Sequence, residues 1–369
     1  MKAEQTLIIH DKITPIYEII FSHDFHGLND ALCALGYEHR KLCIVTDSNV
    51  APLYLEQVKQ TVASLFREVH CFVFEAGEQQ KQLSTVSKLY ELLIQQQFDR
   101  NDLLLALGGG VTGDLTGFTA ATYLRGIDFV QVPTSLLAQV DSSIGGKTGV
   151  DFQAYKNMVG AFHQPSLVYM NLQTLTTLPD REFISGLGEI IKHGLIKDRS
   201  YFQWIDDNKA LIQQRDPFIL QQMIYRSCQI KCDVVERDPK EGGERALLNF
   251  GHTLGHSIEK LMHFSLLHGD CVAIGAQLAS LISWKRGLLT EEELKTIDTL
   301  FAYFSFEQCT SSLDFEEIVA ATKSDKKMDQ GQIQFILLHH IGEAIIDKTV
   351  TDEEMLWALS EYTRRYYAS

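Results

Sequence analysis

Two histidines, His252 and His256, stand four residues apart in the run Asn249-Phe250-Gly251-His252-Thr253-Leu254-Gly255-His256. At the start of a helix this spacing projects both imidazoles from one face. A third, His268, follows in Leu266-Leu267-His268-Gly269-Asp270, where a second helix is predicted to begin. The partial positive charge of a helix N-terminus disfavours imidazolium, so His268 is expected to be neutral, the form that binds a metal. The zincin pattern requires Glu directly after the first histidine, and Thr253 at that place excludes a metalloprotease. Taken singly, each histidine reads sooner as a hydrogen-bonded residue of a helical core than as a ligand. Taken together, with glycines that open space around them, the three favour a metal.

Three further groups of residues could carry chemistry. In Gly186-Leu187-Gly188-Glu189-Ile190-Ile191-Lys192-His193-Gly194, Glu189 shares a helix face with Lys192 and His193. The set reads either as a surface ion pair or, with the histidines above, as a Glu-His-His zinc site with open positions, the count of a catalytic metal. In Gly108-Gly109-Gly110-Val111-Thr112-Gly113-Asp114, glycines at 108, 110 and 113 follow an apolar run and precede a helical one. That context suits a pyrophosphate at a helix N-terminus, while a plain strand-to-helix turn would use the same residues. The dinucleotide pattern wants an acid about twenty residues on, where Asp128 is a weak candidate; Asp47 and Glu78, each after an earlier strand, are alternatives. Finally, Asp141-Ser142-Ser143-Ile144-Gly145-Gly146-Lys147-Thr148-Gly149 puts Asp141 where a P-loop needs its first glycine, so a nucleoside triphosphatase is a poor fit. This segment is expected to be a flexible turn. With Lys156-Asn157 it offers a cluster able to hold a phosphate or to remain a solvated loop.

The elements that must position these groups divide the chain in two. Apolar runs at Leu42–Thr46, His70–Phe74, Leu103–Leu107 and Phe129–Val132 alternate with helical patterns over 51–66 and 83–96, the signature of an open α/β sheet. From about Asp180 the helical period takes over, as in Phe183, Leu187, Ile190 and Ile191, with one late strand pair at 333–338 and 343–346. We therefore expect domains at 1–179 and 180–369. The 369 residues are 45% hydrophobic, ample for two cores. No apolar run reaches membrane-spanning length and Met1-Lys2-Ala3-Glu4-Gln5 opens no signal region, so a cytoplasmic location is expected. Seven scattered cysteines include no C-x-x-C pair; Cys228 and Cys232 could meet on one helix face but are not expected to form a disulfide. A net charge of −15 argues against nucleic acid or an anionic membrane as partner, so an anionic ligand would need a local basic pocket.

In combination these segments resemble the 3-dehydroquinate synthases, sugar-phosphate cyclases of the shikimate pathway. The resemblance runs from about Asp47 to Gly342 and includes Gly77-Glu78-Gln79-Gln80-Lys81, Tyr123-Leu124-Arg125-Gly126, Pro133-Thr134-Ser135, His268-Gly269-Asp270 and Ser324-Asp325-Lys326-Lys327 beside the runs above. Ser135 stands where a second Thr is common and Asp270 where Glu is usual. The resemblance implies a Rossmann-like, mostly parallel NAD-binding domain followed by a mainly α-helical metal-binding domain. It implies zinc or cobalt on Glu189, His252 and His268, with His256 left to contact substrate, whereas the residues alone would have made His256 a ligand. It implies NAD on Asp47, Glu78, Lys81, Gly110, Val111, Thr112, Gly113, Asp114, Thr134, Ser135, Lys147, Lys156, Thr174, Leu175, Thr176 and Thr177. The substrate, 3-deoxy-D-arabino-heptulosonate 7-phosphate, would meet Lys231 and Arg245 at its carboxylate. Its phosphate would meet Lys147, Asn157, Asn249 and one of Lys326 or Lys327, with Arg125 arriving from the second subunit of a homodimer. Asp141, Lys192, Lys231 and His256 would orient hydroxyls and relay protons. The implied reaction oxidises a hydroxyl through NAD, eliminates phosphate, returns the hydride and closes a ring by intramolecular aldol addition, so it is a lyase.

Three other functions are compatible with parts of this pattern. A cyclase for a sugar phosphate such as sedoheptulose 7-phosphate would leave Lys231 and Arg245 without a carboxylate to bind. A metal-dependent polyol dehydrogenase would give the lysines no phosphate. A non-catalytic scaffold would have no use for three filled ligand positions.

Overall fold

The computed structural model describes residues 5–153, 155–263, 265–307, 313–323, 328–329 and 332–366, and the chain divides into two units, Met1–Leu178 and Pro179–Ser369. Ser324, Asp325, Lys326 and Lys327 lie outside the described residues.

The first unit is built on a seven-stranded sheet. Its strands are β1 (Gln5–Asp11), β2 (Thr14–Ser22), β3 (Lys41–Asp47), β4 (Glu68–Phe74), β5 (Leu103–Gly108), β6 (Asp128–Pro133) and, after the hairpin described below, Leu167–Asn171. The hairpin strands are β7 (Lys147–Phe152) and β8 (Tyr155–Phe162), so Leu167–Asn171 is β9. The order across the sheet is β1-β2-β9-β6-β5-β3-β4, with β1 and β2 antiparallel and every other neighbouring pair parallel. Parallel strands are buried on both faces, which is why β3 and β5 read as apolar runs and β6 as one interrupted only by Gln131. Leu103, Leu105 and Leu107 face α1 (Leu28–Ala34) and α2 (Glu56–Val62), together with Ile44, Val130, Val132 and Tyr169. Leu104, Cys43, Val45 and Phe129 pack the opposite face against α3 (Leu83–Gln95) and α4 (Gly110–Thr122). Each such fully buried side chain stabilises the unit by roughly 1.5–3 kcal/mol.

In this unit β1, β2, β8 and β9 went unforeseen, and the segment expected to be a flexible turn is partly strand, as β7. Gly145 and Gly146, with φ of 98° and 66°, make the turn, and the chain then runs directly into β7, so Lys147 opens a strand. Thr148 Oγ1 donates to the Ala161 carbonyl at 3.0 Å and ties β7 to β8.

The second unit is helical: α5 (Asp180–Lys197), α6 (Arg199–Gln213), α7 (Pro217–Arg237), α8 (His252–Leu261), α9 (His268–Lys285), α10 (Glu291–Phe304), α11 (Phe315–Thr322) and α12 (Asp352–Tyr366). Short strands β10 (Met328–Asp329) and β11 (Gln332–Ile333) precede the expected late pair, realised as β12 (Phe335–His340) and β13 (Glu343–Asp347). Cys228 and Cys232 are buried free thiols on α7. No helix among the described residues is long and apolar enough to cross a membrane.

Helix α9 is the centre of this unit, and glycines set its approach to two neighbours. A Cβ at Gly275 would lie 1.8 Å from the Gly251 carbonyl oxygen, and one at Gly255 would lie 2.5 Å from that of Cys271. On the other side, a Cβ at Gly188 would meet the Gly269 carbonyl at 2.6 Å. The Gly269 N–H donates to Ser185 Oγ at 3.0 Å across the same crossing. Gly251 itself takes φ of +80° at the start of α8, a conformation that side chains resist. A methyl at 275 must push α8 and α9 apart, so Gly275→Ala is expected to destabilise the protein by about 1–3 kcal/mol. Urea unfolding followed by circular dichroism measures this, and an unchanged midpoint would show that the crossing tolerates a side chain.

Candidate active site

In the helical unit, α5, α8 and α9 bring their site residues together around Glu189. The carboxylate is 0% exposed, and Lys192, one turn on and 1% exposed, makes an ion pair with it. An ordinary surface pair is thereby ruled out. His252 Nε2 stands 3.4 Å from Glu189 Oε1, and His268 Nε2 stands 3.5 Å from the same oxygen. The outer nitrogens are held as well: His252 Nδ1 is 3.1 Å from the Phe250 carbonyl, and His268 Nδ1 is 3.6 Å from Glu259 Oε2. Each ring thus sets Nδ1 toward an acceptor and turns Nε2 toward Glu189. His256 joins the group, since it, His252 and His268 each offer a ligand atom within 4.8 Å of the others'.

The donor set suits a divalent metal. Metal–ligand distances of about 2.0–2.1 Å in a tetrahedron require ligand atoms about 3.3–3.4 Å apart, close to the two separations from Glu189 Oε1. Burial opposes the Glu189 charge, yet Lys192, His252 and His268 outweigh it and hold the carboxyl well below its ordinary range. Two carboxylates act against the neutral form expected of His268, which a metal on Nε2 would restore by displacing a proton. Burial disfavours its cation, but Glu189 and Glu259 face the two ring nitrogens and together raise the pKa to about 10. The helix N-terminus, worth roughly 0.3–1 kcal/mol, is too weak to oppose two carboxylates.

Other expected residues lie on elements packed against α5. Lys231 is buried on α7, and the helical turn Glu244–Asn249 that packs on α7 carries Arg245 and Asn249. Arg245 is buried, and its Nη1 donates to the Pro239 carbonyl at 2.7 Å. Asp238 accepts backbone N–H groups from Gly242, Gly243 and Arg245 at 2.9, 2.7 and 3.0 Å and so shapes this turn. Asn249 Nδ2 donates to Glu241 Oε1 at 2.8 Å. The sequence reading passed over Ser227, which holds buried His193 at Nδ1 across 2.6 Å, and Glu259. Glu259 lies seven residues after His252 and three after His256, a helical spacing that could have revealed it.

In the α/β unit the other candidate group lies at the carboxyl ends of the strands. From β3 the chain moves to β4 on one side and to β5 on the other, so the order reverses between β3 and β5. Open α/β sheets bind ligands at such a switch point. Asp47 ends β3 and Gly108 ends β5, and Thr112 Oγ1 donates to Asp47 Oδ2 at 3.2 Å. Gly110, Val111, Thr112 and Gly113 form the first turn of α4, which no side chain caps. A Cβ at Gly113 would lie 2.5 Å from Gln131 Oε1, so this glycine serves close helix-to-sheet packing. Thr134 follows β6 and donates its N–H to the Gly108 carbonyl at 2.9 Å, and Ser135 Oγ accepts from Ala138 N at 3.3 Å. Asp128, by contrast, opens β6 at the opposite end of the sheet and drops out as a ribose-binding acid.

Lys81 is buried, with Nζ 2.6 Å from both Asp114 Oδ2 and Asn157 Oδ1. Burial disfavours its charge, but Asp114, Glu78 and Asp151 outweigh this and raise its pKa. Lys156 Nζ is 3.5 Å from Glu78 Oε1. Thr174, Leu175 and Thr176 lie in the turn Leu172–Thr176, and the Tyr54 hydroxyl contacts Thr177 Oγ1 just beyond it. Asp141 is half-buried in the turn Ala138–Ser142, and Lys147 is exposed. Arg125 is exposed too, and it follows Leu124 in left-handed backbone, with φ of 71° and 50°.

The fold and these groups define a class: a two-domain protein with a glycine-rich turn at the switch point of a parallel sheet and a buried histidine–carboxylate centre among helices. Residues 71–185 match the 3-dehydroquinate synthase N-terminal family model and 186–328 the C-terminal one, so the chain belongs to the 3-dehydroquinate synthase family. It is 44% identical to the 3-dehydroquinate synthase of Acetivibrio thermocellus over 94% of this chain and 96% of that protein. Among solved structures it is similar to 2-epi-5-epi-valiolone synthase from Streptomyces hygroscopicus subsp. jinggangensis with NAD+ and Zn2+ bound, with a TM-score of 0.88 and 30% identity over 95% of this chain and 97% of that one. It is equally similar in fold to a 2-deoxy-scyllo-inosose synthase complexed with carbaglucose-6-phosphate, NAD+ and Co2+, with a TM-score of 0.88 and 25% identity over 97% and 100%.

If the centre on α5, α8 and α9 holds metal, His268→Ala is expected to lose most of it while the fold survives, because the α8–α9 crossing rests on glycines rather than on His268. Metal content and circular dichroism of the purified variant measure both. Full occupancy would remove His268 from the ligand set.

Proposed function

We infer that this chain converts 3-deoxy-D-arabino-heptulosonate 7-phosphate to 3-dehydroquinate and phosphate, using NAD and a divalent metal, zinc or cobalt. The observation that carries the reading is the convergence of His252 and His268 Nε2 on Glu189 Oε1, within a chain that matches the family over both halves. When bound, NAD would accept and return a hydride and the metal would polarise substrate hydroxyls. Residues 1–179 form the nucleotide domain in this reading, and residues 180–369 supply the metal and much of the substrate site.

The chain's own residues then take distinct roles. Glu189, His252 and His268 hold the metal. Asp47, Glu78, Lys81, the first turn of α4 with Asp114, Thr134, Ser135, Lys147, Lys156 and 174–177 hold the nucleotide. Lys231 and Arg245 bind the substrate carboxylate. Arg245 is withdrawn from water and its Nη1 is fixed on Pro239, so an anion reaching it meets a charge that is already desolvated and oriented. Lys147, Asn157 and Asn249 bind phosphate, with one of Lys326 and Lys327. Lys192, Lys231, His256 and Asp141 orient hydroxyls and move protons. These basic groups answer the problem of an anionic substrate on a chain of net charge −15.

The active form is a cytoplasmic homodimer in which Arg125 serves the partner's site. Two successive non-glycine residues in left-handed backbone, each costing about 1–3 kcal/mol, hold Arg125 exposed, as a residue presented to another chain would be.

With the seven-carbon substrate, phosphate is expected to appear at catalytic NAD without accumulation of NADH. A phosphate assay read beside absorbance at the NADH band tests this; stoichiometric NADH would point to a dehydrogenase.

Arg245→Ala is expected to lower kcat/KM by about 30- to 1000-fold, as expected for a charge-assisted contact worth roughly 2–4 kcal/mol. An analogue lacking the carboxylate should react poorly with the wild type and suffer little more from the substitution. Additive losses would place Arg245 elsewhere, and a wild type preferring the analogue would move the assignment to another sugar-phosphate cyclase.

A further inference from the structure

Glu259 is a buried carboxylate to which neither the metal nor the substrate assignments give a role. It is 3% exposed, on α8, and its Oε2 faces His268 Nδ1 at 3.6 Å. The opposite nitrogen of that ring, Nε2, faces Glu189 Oε1 at 3.5 Å. His268 therefore bridges two carboxylates from two other helices, one on each ring nitrogen. His252 is arranged in parallel but with a neutral partner, the Phe250 carbonyl at 3.1 Å from Nδ1. Helix α8 carries His252, His256 and Glu259 at positions i, i+4 and i+7, so one stripe of one helix supplies a ring to the centre and an anion behind a ring of α9.

We propose that Glu259 is the positioning residue of the metal centre: it fixes His268 with the proton on Nδ1 and the lone pair on Nε2, and thereby sets metal affinity. The proposal rests on the ligand assignment above. The chemistry is that of a carboxylate behind a ligating histidine, which locks tautomer and ring rotation and makes the inward nitrogen more basic. Rotation of the His268 ring by a few tenths of an ångström at Nδ1 brings the pair within hydrogen-bond distance. An ordinary structural ion pair would hold the ring too, but would not need the anion to stand behind the nitrogen opposite Glu189. The two histidines also become unequal. The one backed by a full negative charge binds more tightly than the one backed by a carbonyl.

The test is chelator competition for Zn2+ on the purified full-length chain, comparing wild type with Glu259→Gln, Glu259→Ala and, as a control on the ligand set, His268→Ala. Glu259→Ala is expected to weaken zinc binding by about 10- to 100-fold and Glu259→Gln by less, because the amide oxygen still accepts from Nδ1–H but carries no charge. Circular dichroism checks folding, and if the alanine variant does not fold, the volume-conserving glutamine variant decides. In zinc-loaded protein with 15N-labelled histidine, the wild type should show His268 protonated at Nδ1. The Glu259 variants should show that signal shifted or exchange-broadened. Wild-type zinc affinity and an unchanged His268 signal in the Glu259 variants would overturn the proposal while His268→Ala still loses the metal. Retention of zinc by His268→Ala would instead defeat the ligand assignment on which it stands.

Discussion

A carboxylate sealed from water is the constraint around which the helical unit is arranged. An uncompensated charge at a site such as that of Glu189 would destabilise the fold by several kcal/mol, so the neighbouring elements must supply positive charge or hydrogen-bond donors at close range. Three do. Helix α5 provides Lys192 one turn further on, α8 provides His252 and α9 provides His268. The same convergence that makes the carboxylate tolerable makes a donor set of nitrogen and oxygen with separations proper to a small divalent cation. Stability and chemistry here are one arrangement seen from two sides.

That arrangement depends on helices lying closer than side chains permit. Backbone meets backbone where Gly275 crosses Gly251, where Gly255 crosses Cys271 and where Gly188 crosses Gly269. The first of these contacts sits one residue before His252 and the last one residue before Glu189 and one after His268. The ligand positions are therefore fixed by main chain, whose placement varies far less than that of flexible side chains. The α/β unit uses the same device for a different end: Gly113 lets α4 lie on the sheet beside Gln131, which keeps the first turn of the helix against the ends of β3 and β5.

Much of this was legible in the residues. Strands buried on both faces announce themselves as apolar runs, so β3, β5 and β6 stood out; the edge strand β4 showed by its aromatic and β-branched residues, and helical period marked α5 with Glu189 and Lys192 on one face. What escaped has a physical reason in each case. β1 and β2 carry polar, exposed positions among apolar ones, β8 is exposed along most of its length, and β9 is a short run behind Pro165. Asp128 stood at a suitable distance in sequence from Gly108, yet chain distance says nothing about which end of a strand a residue occupies. Glu259 was passed over although its spacing from His252 and His256 puts it on their helix face, because it meets His268, a residue of another helix, only in the fold. The burial of Lys192 was likewise invisible, since a lysine three residues after a glutamate usually belongs to a wetted surface.

The glycine crossings also bear on how such a protein can change through descent. At a contact where a single Cβ would fall 1.8 Å from a carbonyl oxygen, no intermediate size exists between glycine and a clash. The angle between the ligand-bearing helices cannot drift by small substitutions; it is inherited whole or lost. New specificities must then arise in side chains that line the centre, on an unmoved frame. The resemblance to synthases named for other cyclic products, at TM-scores of 0.88 with only 30% and 25% identity, is what such a history leaves behind.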